Sequence, residues 1–351
     1  MKCCIECFKD IHIRNTIEKQ GSIGDCDYCS HKNIAVYDVS SIPNPIADII
    51  VGLIQIYSVS DLPDAKPLKV ALHDDWDIFN AGIATIQTLS VDLCSPVINS
   101  NSDVFTKNVI ISQLLDDDFI REFCVVRGLS WEQFAESIKY ENRFHSGMFN
   151  ADAFSSFLSI ITKSYSTGAE LYRARIAHTP NGYTTNEMCA PPKEKRSAGR
   201  INPEGIGVLY LSSDGKTVLN EVRASTFDYV SIGAFKLTKD IKVVNLSGIS
   251  ETSPFLYEGE LEKYAANRKV FREIAHEIAK PLRRSDSPIE YLPTQYIAEF
   301  IKSQGYDGVE YASTLRESGN NIAVFDETLF ECVSVQTIEV SEVSYKTEPN
   351  I

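Results

Sequence analysis

A chain of 351 residues can bury more than one core, and its length fits two or three domains. Its 34 basic and 48 acidic residues leave a net charge of −14, which argues against a dedicated nucleic-acid binder. No secretory signal follows Met1, and the most apolar stretch, Ile46 to Tyr57, is broken by Asp48, Gly52 and Gln55 and too short to span a bilayer. Nine cysteines, an odd number, fit a reducing compartment, so the expectation is a cytoplasmic protein away from membranes.

The first unit is Cys4-Ile5-Glu6-Cys7 followed by Cys26-Asp27-Tyr28-Cys29, with eighteen residues between the pairs. Two such knuckles suit tetrahedral Zn2+, because each pair clamps the ion from one tight turn and four thiolates close the shell. Cys4, Cys7, Cys26 and Cys29 are the expected ligands, although Cys3 or His31 stands near enough to replace one. A closed thiolate shell leaves no position for a substrate, so the expected role is structural. Ser40 to Pro45 reads as a linker.

From Ile46 to Ser164 the pattern turns helical and no strand alternation persists. Ser130-Trp131-Glu132-Gln133 reads as a capping box, and Phe154, Phe157, Leu158 and Ile161 recur at helical spacing. The acidic runs Asp74-Asp75-Asp77 and Asp116-Asp117-Asp118 fit solvated faces or helix N-termini better than a metal site.

At Leu171-Tyr172-Arg173-Ala174-Arg175-Ile176 the pattern becomes a strand with two arginines on one face, a feature that wants an anion unless the arginines are paired. A long loop, His178 to Ala198, carries Lys193, Lys195 and Arg196 just before Arg200. Next comes GRINPEGIGVLYLSSDGKTVLNEVRAS, Gly199 to Ser225: a turn, the strand Val208 to Leu211, and a helical segment from Thr217 to Arg223. It delivers an arginine, a tyrosine and a glutamate from three different elements. That set suits a pocket for an anionic, aromatic ligand, yet such a trio occurs in most soluble proteins and does not by itself make a site.

Strands are expected at Tyr229–Lys236, Ile241–Leu246, Gly308–Ser313, Asn321–Asp326 and Val333–Val340. Helices are expected from Glu260 to Lys280 and from Pro293 to Gly305, and Ser344 to Ile351 reads as a polar tail. No G-x-G-x-x-G follows a strand and opens a helix, and no H-E-x-x-H or G-x-S-x-G is present, which disfavours redox use of a dinucleotide. The fold class is α+β: a zinc-ribbon-like knuckle over 1–40, an all-α domain over 46–165, and a mixed sheet split around a cleft over 168–345.

The wording of two blocks is more specific than their spacing. GR-x-N-P-x-G, then LYLS, then L-x-E-V-R, and separately QYIAEFIKSQGYDGVEYAS with NNIAVFD, resemble in order the RES domain family over roughly Leu171 to Phe330. The resemblance implies an ADP-ribosyltransferase-like fold and a toxin or defence effector that consumes NAD. Carried over by position, Arg200 binds phosphate, Tyr210 packs against nicotinamide, Glu221 engages the ribose, and Ser313 hydrogen-bonds nicotinamide or ribose. Arg173 and Asn202 are added as substrate contacts. The family includes NAD phosphorylases and NAD glycohydrolases, so phosphate or water is the implied acceptor, and an antitoxin, a regulatory protein or a second copy is an implied partner. The helical segment resembles N-terminal domains grouped with the HEPN superfamily. Arg143 and His145 stand too close for the HEPN ribonuclease pattern, so regulation or assembly is the expected role. The alternatives are ADP-ribosyl transfer to a macromolecule and an inactive, NAD-sensing interaction module.

Overall fold

The computed structural model describes residues 1–100, 102–127, 130–248, 253–256, 260–280, 287–315 and 319–344. These residues form two compact units. The first is formed by the described residues within Met1–Leu129, Asn150–Phe154 and Ile249–Val270, and the second by those within Ser130–Phe149, Ser155–Gly248 and Phe271–Ile351.

The first unit opens with a small antiparallel sheet in the order β1 (Lys2–Cys4), β3 (Ile34–Asp38), β2 (Ser22–Gly24). The helix Ile11–Gln20 joins its outer strands and starts where Asp10 accepts the Ile13 amide hydrogen. After the linker, Asn44 caps the helix Pro45–Gln55, with proline in its first turn. The helix buries Ile46, Ile50, Leu53 and Ile54 at three-four spacing, the stripe that the apolar run encodes.

The segment expected to be all helix also contains strands. β4 (Tyr57–Val59), β5 (Lys66–Pro67) and β6 (Asn108–Ile111) form an antiparallel sheet in the order β4-β6-β5. Strands of two to four residues are too short to show alternation, and an apolar triplet such as Val109-Ile110-Ile111 reads equally as a helical turn. The acidic runs are structural. Asp116 caps the helix Asp117–Phe123, while Asp74 and Asp75 both pair with Lys66 at 3.1 Å. The helix Leu261–Ala279 contributes to this unit through Val270, where Tyr264 stacks on the buried Trp76.

The second unit is built on an eight-stranded sheet. Its strands are β7 (Thr162–Tyr165), β8 (Glu170–Ala177), β9 (Leu209–Ser212), β10 (Tyr229–Leu237), β11 (Ile241–Asn245), β12 (Gly308–Ala312), β13 (Asn320–Val324) and β14 (Phe330–Glu339). The order is β14-β10-β8-β9-β13-β12-β11-β7, and only β11 and β12 pair in parallel. The sheet is thus mixed, as expected. Its weak point is the centre, where β8 and β9 pair only at Tyr172 and Ser212.

Strand alternation then sorts the residues. Leu171, Leu209, Leu211, Phe235, Ile322 and Val324 pack into one core cluster. On the other side, register aligns Ser212, Asn321 and Tyr311 as a cross-strand row, with Tyr210, Ala323 and Val309 in the next. Glu310, between Val309 and Tyr311, therefore lies on the opposite face, where it is buried and held by Lys163 at 2.7 Å and Tyr165 at 2.8 Å.

Candidate active site

The cleft lies where β8 and β9 part. It has a volume of about 310 Å³, and its lining includes Arg173, Arg200, Tyr210, Glu221, Tyr311 and Asn321. That is the low end of the size range of small-molecule sites.

Glu221 is the last residue of the helix Gly215–Glu221, which begins where Asp214 accepts the Lys216 and Thr217 amide hydrogens. Its Oε1 accepts from Ser313 Oγ at 2.7 Å and from Asn321 Nδ2 at 2.8 Å. Among the described residues Oε2 has no hydrogen-bond partner. Ser313 lies just beyond the end of β12, where its amide donates to the Gly319 carbonyl at 2.7 Å. Asn321 Oδ1 in turn accepts from Ser212 Oγ at 2.5 Å.

Arg200 is carried by a loop rather than by a helix or strand, and several groups fix that loop. The Thr294 hydroxyl donates to the Arg200 carbonyl at 2.7 Å, and Gln295 Nε2 donates to the carbonyls of Gly199 and Asn202 at 2.7 and 2.9 Å. Both residues belong to the helix Leu292–Ser303. Arg200 Nη1 donates to the carbonyls of Ile278 and Ala279 at 2.7 and 2.8 Å, satisfying the C-terminal carbonyls of the long helix. Its guanidinium carbon lies 5.8 Å from the centre of the Tyr311 ring. Nε and Nη2 make no hydrogen bond among the described residues, which leaves two nitrogens with three N–H donors for an anion.

Tyr210 has two roles. Its ring borders the cleft, while its hydroxyl accepts from the Ile201 amide at 3.3 Å and donates to Asn202 Oδ1 at 2.8 Å. Burial pushes this phenol well above its ordinary range. Tyr311, also buried, is raised to about 12 by the same cause.

The structure therefore brings Arg200, Tyr210 and Glu221 into one cleft, with Ser313 against Glu221. Asn202 is not in the cleft lining. It is buried, and its Nδ2 donates to the carbonyls of Ser197, Pro203 and Ile206, so it organises the loop from within. Arg173 borders the cleft but donates to the Met188 carbonyl at 2.9 Å, and desolvation holds its guanidinium below the ordinary value. Arg175 donates to the Glu187 carbonyl and lies over the Tyr183 ring. Both strand arginines thus fasten the loop after β8. Arg196 pairs with Glu327 at 2.8 Å in a separate cleft, so it does not extend the positive field around Arg200.

The cysteines converge as their spacing predicts. Sγ atoms of Cys4, Cys7, Cys26 and Cys29 lie within 4.8 Å of one another, with separations of 3.8 Å (Cys4–Cys7), 3.4 Å (Cys4–Cys29) and 3.6 Å (Cys7–Cys26). Cys3 is outside this group, its buried thiol directed at the Tyr37 carbonyl, and His31 Nδ1 lies 3.2 Å from Cys29 Sγ. Arg143 borders another cleft with Phe144 and Tyr296, and His145 is exposed.

Residues 170–347 match the family model for the RES domain. The chain belongs to the RES domain family. The match takes in Arg173, Arg200, Tyr210, Glu221, Ser313 and Asn321, the residues just described. Among solved structures, the crystal structure of the M. tuberculosis MbcT-MbcA toxin-antitoxin complex is similar over 52% of this chain and 92% of that one. The identity is 13% and the TM-score 0.31. A comparison with curated proteins finds no match.

Sequence reading missed Asn321, Ser212, Thr294 and Gln295. Asn321 and Gln295 lie inside the very blocks that suggested the family, but nothing in a linear sequence tells which polar residue of a strand or helix faces the cleft.

Proposed function

We propose that this RES domain cleaves the nicotinamide–ribose bond of NAD and acts as a toxin or defence effector. The observation that carries the reading is the state of Glu221: one carboxylate oxygen held by Ser313 and Asn321, the other without a partner among the described residues, in a cleft shared with Arg200. Nicotinamide departs with the electron pair of the broken C–N bond as a neutral base, and the ribose passes through a cationic, oxocarbenium-like state. The carboxylate stabilises that charge because it is already oriented and does not have to reorganise. Arg200 offers Nε and Nη2 to the pyrophosphate, the half-buried Arg173 adds positive charge beside it, and the aromatic rings flank the nicotinamide. The acceptor, phosphate or water, attacks the ribose carbon through an oxygen lone pair, and the proton that the new C–O bond makes acidic passes to solvent. An antitoxin or regulatory protein that covers this cleft would restrain the activity.

The test is incubation of the purified chain with NAD in buffers with and without phosphate, reading free nicotinamide and the ribosyl product. Nicotinamide release supports the reading. ADP-ribose 1″-phosphate identifies phosphorolysis, plain ADP-ribose identifies hydrolysis, and intact NAD refutes it.

We infer in addition that Cys4, Cys7, Cys26 and Cys29 hold one structural Zn2+. Thiolates about 2.3 Å from a tetrahedral ion stand about 3.8 Å apart; three of the pairs here lie at 3.4 to 3.8 Å, and all four thiols lie within 4.8 Å of one another. The same separations exceed a disulfide bond of about 2.05 Å. Four thiolates fill the shell, and His31 supports Cys29 from outside it.

A further inference from the structure

We propose that Asn321 is a positioning residue that holds Glu221 ready for reaction, and that Ser212 anchors Asn321 to the neighbouring strand. The proposal rests on the reading of Glu221 as the group that meets the ribose. Glu221 ends a seven-residue helix and is only half-buried, so its three side-chain torsions would be free without an external restraint. Ser313 supplies one restraint from beyond the end of a strand. Asn321 supplies the other from within β13, directly opposite Ser212 on β9, where both residues are buried.

An asparagine amide can be seated in two orientations. One turns its NH2 group to the carboxylate, and the other turns its oxygen there and sets two acceptors against each other. The carboxylate only accepts, so it selects the orientation that puts Nδ2 2.8 Å from Glu221 Oε1, and the Ser212 hydroxyl then donates to Oδ1 and anchors the amide to β9. The chain Ser212–Asn321–Glu221 thus transfers the rigidity of the sheet to a side chain on a short helix. The charged and titratable groups that border the same cleft are Arg173 from β8, Arg200 from its loop, and the phenols of Tyr210, Tyr291 and Tyr311. None of these donates a hydrogen bond to Glu221 among the described residues, so Asn321 and Ser313 alone restrain it there.

The decisive variants are Asn321→Ala and Asn321→Asp, each first shown to be folded by circular dichroism. In Asn321→Ala the restraint is lost. NAD turnover should fall at least about tenfold in kcat while KM changes by less than about threefold, as expected when geometry in the transition state is lost but binding is not. In Asn321→Asp a second carboxylate replaces the donor, and two carboxylates at that distance resist being charged together. The acid limb of the pH–rate profile should therefore move to higher pH, which loss of packing alone would not produce.

An independent measurement needs no substrate. In protein labelled at glutamate side-chain carboxyl carbons, the Glu221 resonance is identified by its absence in Glu221→Gln. That resonance should titrate over a higher pH range in Asn321→Asp than in the parent. A wild-type kcat in Asn321→Ala, or a carboxyl resonance and acid limb both unmoved in Asn321→Asp, overturns the proposal. A moved resonance in a protein that leaves NAD intact upholds the relay and refutes the NAD reading, so the two failures are distinct.

Discussion

Replacing Tyr210 with Phe tests whether the tyrosine serves the cleft through its ring or through its hydroxyl. The substitution keeps the aromatic face and removes one oxygen. That oxygen accepts from the Ile201 amide and donates to Asn202 Oδ1, and both Ile201 and Asn202 are buried. Asn202 keeps its three Nδ2 hydrogen bonds to loop carbonyls, so the loop retains a scaffold while two polar groups lose a partner. An orphaned buried polar group costs about 1–3 kcal/mol. Water reaching the loop offsets part of the sum, so we expect a total of about 1–3 kcal/mol and a midpoint lowered by about 2–12 °C. Because the loop carries Arg200, NAD binding should weaken, seen as a raised KM with a smaller change in kcat. Thermal unfolding followed by circular dichroism reads the first effect and nicotinamide release the second. A variant with unchanged stability and collapsed kcat would show that the hydroxyl acts on the substrate and that the loop does not depend on it.

Other expectations follow from the same geometry. Glu221→Gln keeps the shape of the side chain and removes its charge, so NAD turnover should drop on the order of a hundredfold or more with unchanged far-ultraviolet circular dichroism. Near-normal turnover in that variant would remove Glu221 from the chemistry. A Cβ at Gly199 would stand 2.7 Å from both Asn202 Oδ1 and Tyr210 Oη. Gly199→Ala should therefore destabilise the protein by about 1–3 kcal/mol, measured by denaturant unfolding. Elemental analysis of protein prepared without chelator should give about one zinc per chain. Cys26→Ser should lose the metal and Cys3→Ala should keep it, and loss of metal in Cys3→Ala would mean that Cys3 belongs to the ligand set.

Local patterns make a large part of this protein legible in its sequence. The two cysteine pairs are turn-forming units whose spacing predicts that they meet, and the thiols do converge. Gly199 to Ser225 spells a turn, a strand and a helix, and it folds into a loop, β9 and the helix Gly215–Glu221. Alternation and apolar spacing within such segments are local properties, so β8, β10, β11 and β12 lie close to their expected bounds. The short strands β4, β5 and β6 escape because two to four residues carry no period.

What only the tertiary structure decided is the direction of individual polar atoms. Asn202 looks like a substrate ligand in the sequence and is an internal brace of its loop. Arg173 and Arg175 look like a bare cationic stripe and fasten the carbonyls of Met188 and Glu187. Asn321 looks like one more polar residue at the start of a strand. It becomes a support for Glu221 because strand register sets it opposite Ser212, 109 positions away in the chain. Hydrophobic periodicity determines which side of a strand is buried. Which donor meets which acceptor depends on register between strands distant in sequence, and that register exists only once the sheet has formed.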